Sequence, residues 1–348
     1  MISVVFSLLV CSRQDLGIQS EIPLEESVEA SPYRPVRLEL SGTIGSEDED
    51  DYFFAIIRGI EVDAEDNVVV FDGILRNIRV FSPDGELLRS YALPDGEGPG
   101  EFQRASTFSL SSNKERVYVY DMINRRITVL DYATFGYLNS FSLSETLHAG
   151  IDGGPDNTIY AVYSQLDLGG RPMVHVFTED GVEVAAFERC HDMFLEHDQQ
   201  RLQSVYAVTM TQTPSLIFLS FSLPYEIRVY NRRHELQRRF HRTPDFFGGT
   251  IQEGEWLFPT GNCSGIVIAG EELVLQMVTD RENDETWMHA FDFSGRHRGV
   301  QNLSKGEWGK QVHIDSDALD SKGNIYGIAY EPFPRLIRFK IAPDMLSS

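Results

Sequence analysis

Six short apolar runs recur along the chain at near-even spacing: Val68–Phe71, Val117–Tyr120, Ile159–Val162, Leu216–Leu219, Leu273–Gln276 and Ile325–Ile328. Their first residues are 49, 42, 57, 57 and 52 positions apart, by subtraction. Each is followed, 10 to 15 residues on, by a second run: Ile78–Phe81, Ile127–Leu130, Val174–Phe177, Ile227–Tyr230, Met288–Phe291 and Ile337–Lys340. β-Branched and aromatic residues dominate both sets, and several second runs alternate apolar with polar, as half-buried strands do. Between them stand turn signals such as Ser82-Pro83-Asp84-Gly85, Thr178-Glu179-Asp180-Gly181 and Asp320–Asn324, where Gly, Asp and Asn supply the backbone freedom that a tight reversal needs. A further strand follows the Asp-Gly turns, as in Glu86–Leu93 and Val182–Phe187.

Four antiparallel strands per unit at a period near 50 predict an all-β fold, a six-bladed β-propeller of four-stranded antiparallel blades. The sixth unit ends soon after Lys340 without an outer strand, and Pro35–Ile44 has the length and alternation to supply it. The ring is therefore expected to be closed by an N-terminal strand in the last blade, leaving no open edge at the seam. Asp95–Phe102, a Gly/Pro-rich turn ending in an aromatic ring, reads as the crossing from one blade to the next; Gly254-Glu255-Trp256 and Gly306-Glu307-Trp308 echo it. It does not suit a phosphate loop, since no helix pattern and no Lys-Ser/Thr follows.

Propeller topology turns loop lengths into a face. Loops between strands two and three, and those between blades, open on one side, and the tight turns on the other. Long loops on a rigid rim are where binding resides. Candidates on that ligand-binding face are Arg58, His148 and His313 near the starts of inner strands. Asp72, Arg76, Asn77, Asp121, Asn124, Arg125, Asp167, Tyr225, Glu226, Asp280 and Glu331 join them between strands two and three. Asp72 and Asp121 equally read as turn caps, and Arg125-Arg126 as a solvated pair of charges. Cys190 and Cys263 are expected on loops of this same face. No Gly-x-Ser-x-Gly elbow is present, and catalytic residues stay unassigned.

Three stretches resemble the six-bladed propellers of the NHL-repeat and TolB-like type, particularly bacterial lipoproteins of this architecture: Gly96–Phe102, Ile60–Asp72 and Asp320–Tyr326. The resemblance covers about residues 36 to 342. The loop-rich face leads to the expectation of a non-catalytic binding or scaffold module of the cell envelope. Related propellers also include calcium- or zinc-dependent lactonases and lyases with a metal over the central channel, so the alternative the resemblance implies is a metal-dependent hydrolase or lyase with His148 and His313 as weak ligand candidates. No cofactor is otherwise expected.

Composition narrows the partners. With 53 acidic against 30 basic residues, the formal charge of −23 opposes docking on nucleic acid or an anionic bilayer by surface charge alone. The charge itself names no ligand; the loop-rich face and channel mouth are what lead to the expectation of a protein, peptide or glycan partner. The apolar run Ile2–Val10 is too short to span a bilayer and suits a signal-peptide core. Leu8-Leu9-Val10-Cys11 resembles a bacterial lipobox, which implies lipidation at Cys11 and a place in the cell envelope. The expected organisation is a signal segment over 1–11, a flexible tether over 12–35, rich in polar residues and proline, and the propeller over 36–348.

Overall fold

The computed structural model describes residues 24–26, 36–147, 150–163, 172–189, 208–222, 225–242, 244, 250–253, 256–270, 272–305 and 312–342. Strand β1 (Leu24–Glu26) precedes β2 (Leu38–Ile44). Blade 1 is β3 (Ile57–Val62), β4 (Val68–Asp72), β5 (Asn77–Phe81) and β6 (Leu87–Ala92); blade 2 is β7 (Ala105–Leu110), β8 (Arg116–Asp121), β9 (Arg126–Asp131) and β10 (Tyr137–Ser142). Blade 3 follows as β11 (Gly150–Gly153), β12 (Ile159–Val162), β13 (Pro172–Phe177) and β14 (Glu183–Arg189); blade 4 as β15 (Val208–Gln212), β16 (Leu216–Phe221), β17 (Glu226–Asn231) and β18 (Leu236–His241). A hairpin, β19 (Thr250–Glu253) with β20 (Trp256–Pro259), precedes blade 5: β21 (Gly261–Ala269), β22 (Leu273–Asp280), β23 (Glu285–Asp292) and β24 (His297–Asn302). Blade 6 is β25 (Val312–Leu319), β26 (Asn324–Ala329) and β27 (Arg335–Ile341).

The second and third strands of each blade are the apolar runs of the sequence. Their side chains point alternately to two faces, and each face packs on a neighbouring blade, so Val68 to Phe71 and Val117 to Tyr120 are all buried. Phe102 is the wedge expected of its Gly-rich turn: fully buried, it joins Phe71 and Val80 of blade 1 to Phe108 and Leu130 of blade 2. The innermost strands approach closely because glycine lets them. A Cβ added at Gly153 would stand 2.0 Å from the Leu110 carbonyl oxygen, and one at Gly265 2.1 Å from that of Ile314.

The ring closes as expected. β2 pairs antiparallel with β27, Leu38 opposite Ile341 and Ile44 opposite Leu336, giving blade 6 its fourth strand. Gln301 on the outer strand of blade 5 clips the seam, its side chain accepting from the Leu38 amide at 2.7 Å and donating to the Leu38 carbonyl at 3.1 Å.

Three expectations are corrected. Residues 24–26, placed in a free tether, form a parallel strand on the outer edge of β18, Leu24 opposite Arg239, because that edge offers unpaired backbone groups. Trp256 opens the second strand of the extra hairpin and is no bare blade crossing. Cys263 lies within the innermost strand of blade 5 and not on a loop: a buried free thiol, it donates to the Phe221 carbonyl at 3.2 Å, and burial pushes its pKa up to about 12. Cys11 and Cys190 lie outside the described residues.

Two measurements follow from this packing. Leu38, 2% exposed, anchors the closing strand; Leu38→Ala should destabilise by about 2–5 kcal/mol in denaturant unfolding, and removal of residues 36–44 should abolish a cooperative transition. The second concerns acid. Burial, then the neighbouring His297 and Arg242, lowers the His289 pKa to about 3. The unfolded imidazole takes up its proton near 6.5, so the unfolded chain binds more protons between those values, and stability present above pH 6.5 is lost as pH falls toward 3. Thermal midpoints at pH 7.5 and 4.5 should differ less in His289→Gln than in the parent; an equal difference would place the acid sensitivity elsewhere.

Candidate functional site

The face that carries the between-blade connections is built on a carboxylate repeated at the end of the second strand. In blade 1 Asp72 accepts from the amides of Ala55 (2.7 Å) and Ile56 (3.4 Å) on the incoming connection, and of Ile74 and Leu75 (2.9 Å each) in its own turn. In blade 2 Asp121 accepts in the same way from Gln103 (2.6 Å), Arg104 (3.2 Å), Ile123 (3.0 Å) and Asn124 (3.1 Å). Asp280 of blade 5 takes the turn amides of Glu282 and Asn283 at 3.0 and 3.2 Å. Each carboxylate is fully or almost fully buried. A buried carboxylate is stable only when its lone pairs are filled, and here backbone amides fill them. One backbone bond completes each clamp: Gly73 to the Ile56 carbonyl at 2.9 Å, Met122 to Arg104 at 2.9 Å, Arg281 to Thr260 at 2.8 Å.

These carboxylates therefore build the rim and do not line it. Glu226 is withdrawn for a different reason. Wholly buried, it accepts from Arg239 at 2.8 and 2.9 Å and from Arg228, which also reaches Glu188; Tyr230 donates to Glu188 in turn. This network of two glutamates and two arginines staples blade 3 to blade 4. Its signal in the sequence is the Glu226-Ile227-Arg228 alternation, which puts both charges on one face of β17. Tyr225 is also buried; its hydroxyl donates to Gln276 at 2.8 Å, and burial holds its pKa well above the ordinary phenol range.

The other candidates range from half-buried to exposed. Arg58 and Arg125 are exposed, and Arg125 donates to the Ser144 carbonyl at 3.3 Å. Asn124 returns a side-chain bond to Asp121 at 3.0 Å, and Asn77 opens β5 in register with Asp72. Arg76 bridges Asp95 at 2.8 Å and donates to the Phe102 carbonyl at 2.5 Å, so it shapes the Gly-rich crossing. Arg126 does the same through the carbonyls of Glu97, Gly98 and Glu101. His148 and Asp167 lie outside the described residues.

Below the rim, the six innermost strands enclose a channel cavity of about 250 Å³. Arg58, Glu61, Thr107, Asp152, Thr209, Ser264 and His313 give its wall a polar character. Glu61 is engaged between blades, accepting from the Leu110 amide and the Lys114 ammonium at 3.0 Å each. His313 reaches this wall from β25, as its position near the start of an inner strand implied. Among the described residues no three His, Cys, Asp or Glu side chains converge on a point that could hold a metal ion.

Fold and rim together define a six-bladed β-propeller with one clamped, loop-bearing face. Residues 44–239 match the profile of the DUF5128 family, described as a 6-bladed beta-propeller; this is more than half of the 348-residue chain, and the chain belongs to that family. No curated protein sequence matches it. Among solved structures it is similar to a Bacteroides fragilis protein described as exported, with TM-score 0.62, 11% identity, and coverage of 91% of this chain and 99% of that one. A duf4221 family member from Bacteroides vulgatus gives TM-score 0.62 at 8% identity, covering 88% of this chain and 99% of that one. A streptogramin B lyase gives TM-score 0.53 at 13% identity, covering 90% and 100%. At such identities the likeness is one of fold.

The clamp predicts a defined loss. Asp121→Ala leaves four amides without their acceptor and should destabilise by about 2–4 kcal/mol. Hydrogen exchange at Ile123 and Asn124 should rise more than at the core amides of β8, and a uniform rise would show that the clamp is not local.

Proposed function

We propose that the chain is a non-catalytic binding module of the bacterial cell envelope, held to the membrane through lipid on Cys11, which recognises a protein, peptide or glycan through the clamped face. The observation that carries this reading is the triplicated carboxylate clamp. Asp72, Asp121 and Asp280 fix their turns through backbone amides, and a rim rigid before its ligand arrives loses little entropy on binding. The exported description of one structural neighbour supports the envelope location.

The module needs no metal. The rim carboxylates that would be natural ligands are filled by backbone amides, and Glu226 by guanidinium groups. The metal-dependent hydrolase or lyase reading rests on His148 and His313; among the described residues no three His, Cys, Asp or Glu side chains converge on a point that could hold a metal ion.

The test uses the purified chain carrying Cys11→Ser, immobilised and exposed to envelope proteins and glycans. Arg58→Glu and Arg125→Glu, on the clamped face, should each reduce retention of the bound species about 10-fold or more, whereas Lys322→Glu, on an opposite-face turn, should not. Equal loss in all three would remove the face from the function. Dialysis against a chelator should leave retention and thermal midpoint unchanged; a stoichiometric divalent ion lost in His313→Ala would turn the reading toward the hydrolase.

A further inference from the structure

Strand direction fixes the side from which the N-terminal segment reaches the ring. Ala55 and Gln103, just before β3 and β7, meet the ends of β4 and β8 on the clamped face, so the first strand of a blade leaves that face and the fourth returns to it. β18 is a fourth strand. It runs from the tight turn at Asn231–Glu235 toward the clamped face, and β1 lies parallel on its outer edge, Leu24 opposite Arg239 and Glu26 opposite His241. Residue 24 is therefore entered from the tight-turn side.

β2 repeats this direction on another blade. Its partner β27 is a third strand and runs away from the clamped face; Leu38 pairs with Ile341 at the far end, where the Ala342 amide donates to the Arg37 carbonyl at 3.0 Å. Both strands that precede blade 1 start on the same side. Cys11 stands 13 residues before Leu24, by subtraction, and a stretch of that length reaches about 45 Å when fully extended and about 20 Å as a coil. A bilayer beyond the tight turns lies straight along its path. To lay the clamped face on that bilayer, the same stretch would have to turn back along the edge of blade 4 and clear the rim.

Charge opposes that second arrangement as well. Around the rim of blades 1 and 2 the exposed carboxylates of Glu47–Asp51, Asp95 and Glu97 outnumber the exposed guanidinium groups of Arg58, Arg104 and Arg125. Pressed against anionic headgroups, such a rim is repelled.

We infer that the ring is held with its tight turns toward the bilayer that carries Cys11 and its clamped face turned to the aqueous side, so that its partner arrives through the aqueous compartment. This deepens the lipid-anchored binding-module reading and rests on it. The experiment uses the full chain carrying Cys190→Ser, lipidated in the cells that make it and added to preformed vesicles of phosphatidylethanolamine and phosphatidylglycerol with a trace of rhodamine-labelled lipid. A single fluorescein is attached at Ser112→Cys or Glu272→Cys, on tight turns of blades 2 and 5, or at Ile123→Cys or Glu282→Cys, on clamped turns of the same blades. These blades stand opposite each other across the ring, so averaging the two removes the effect of a tilt. The faces are about 20 Å apart over a six-residue strand such as β8, and energy transfer to the lipid should be about 2-fold or more greater from the tight-turn sites. Equal transfer from the two faces, or more from the clamped one, would overturn the orientation and leave the anchor standing. A mature chain whose N-terminal peptide carries no lipid would sink both.

Discussion

The pairing of β2 with β27 is the contact on which the rest of this molecule depends. A four-stranded blade with apolar side chains on both faces has no stable existence alone, because each face needs a neighbour. Five interfaces along a linear array would still leave blades 1 and 6 with one bare face each. Bringing residue 38 against residue 341 covers both at once. Its entropic penalty grows only slowly with the length of chain enclosed, so a seam of one strand suffices for a ring of six blades. Gln301, bonded to both backbone groups of Leu38, extends the seam into blade 5.

Once the ring is closed, the connections must be held against it, and the carboxylate at the end of the second strand does this. One buried oxygen pair joins two segments far apart in sequence: Asp72 reaches back 17 residues to Ala55, and Asp121 18 residues to Gln103. A carboxylate suits the task because it accepts several amides that would otherwise be buried without partners. Its substitution would be felt in the turn, in the incoming connection and at the mouth of the channel where Arg58 stands.

The architecture was legible because the second strand of each blade is buried and mostly apolar, and the third alternates or is mostly apolar, which together give a signal that needs no partner to be read. The inner strands announce themselves poorly. Gly150–Gly153 and the first half of Gly261–Ala269 face the channel or pack glycine against a neighbouring carbonyl, so they carry polar and small residues and pass for loop. Cys263 was assigned to a loop for this reason. β1 was read as tether because its pairing depends on the edge of a blade more than two hundred residues away. The site was legible as a face but not as roles. Asp72, Asp121, Asp280 and Glu226 were recognised as polar residues at the right corner, while their burial follows from amides and guanidinium groups that no local spacing reveals.

The same division between backbone and tip explains how one fold can present different surfaces from its several blades. Where a turn is held by its own side chains, changing them moves the backbone. Here the holding group is a single aspartate at the base, and the tip residues are relieved of structural duty. Glu282 and Ile123 can therefore stand at equivalent places on equivalent backbones with opposite affinities for water. Leu75 goes one step further, since its siblings contribute a hydrogen bond that it does not. The loss is small beside the four amides that Asp72 retains, so the turn keeps its shape and the apolar tip remains presented to solvent.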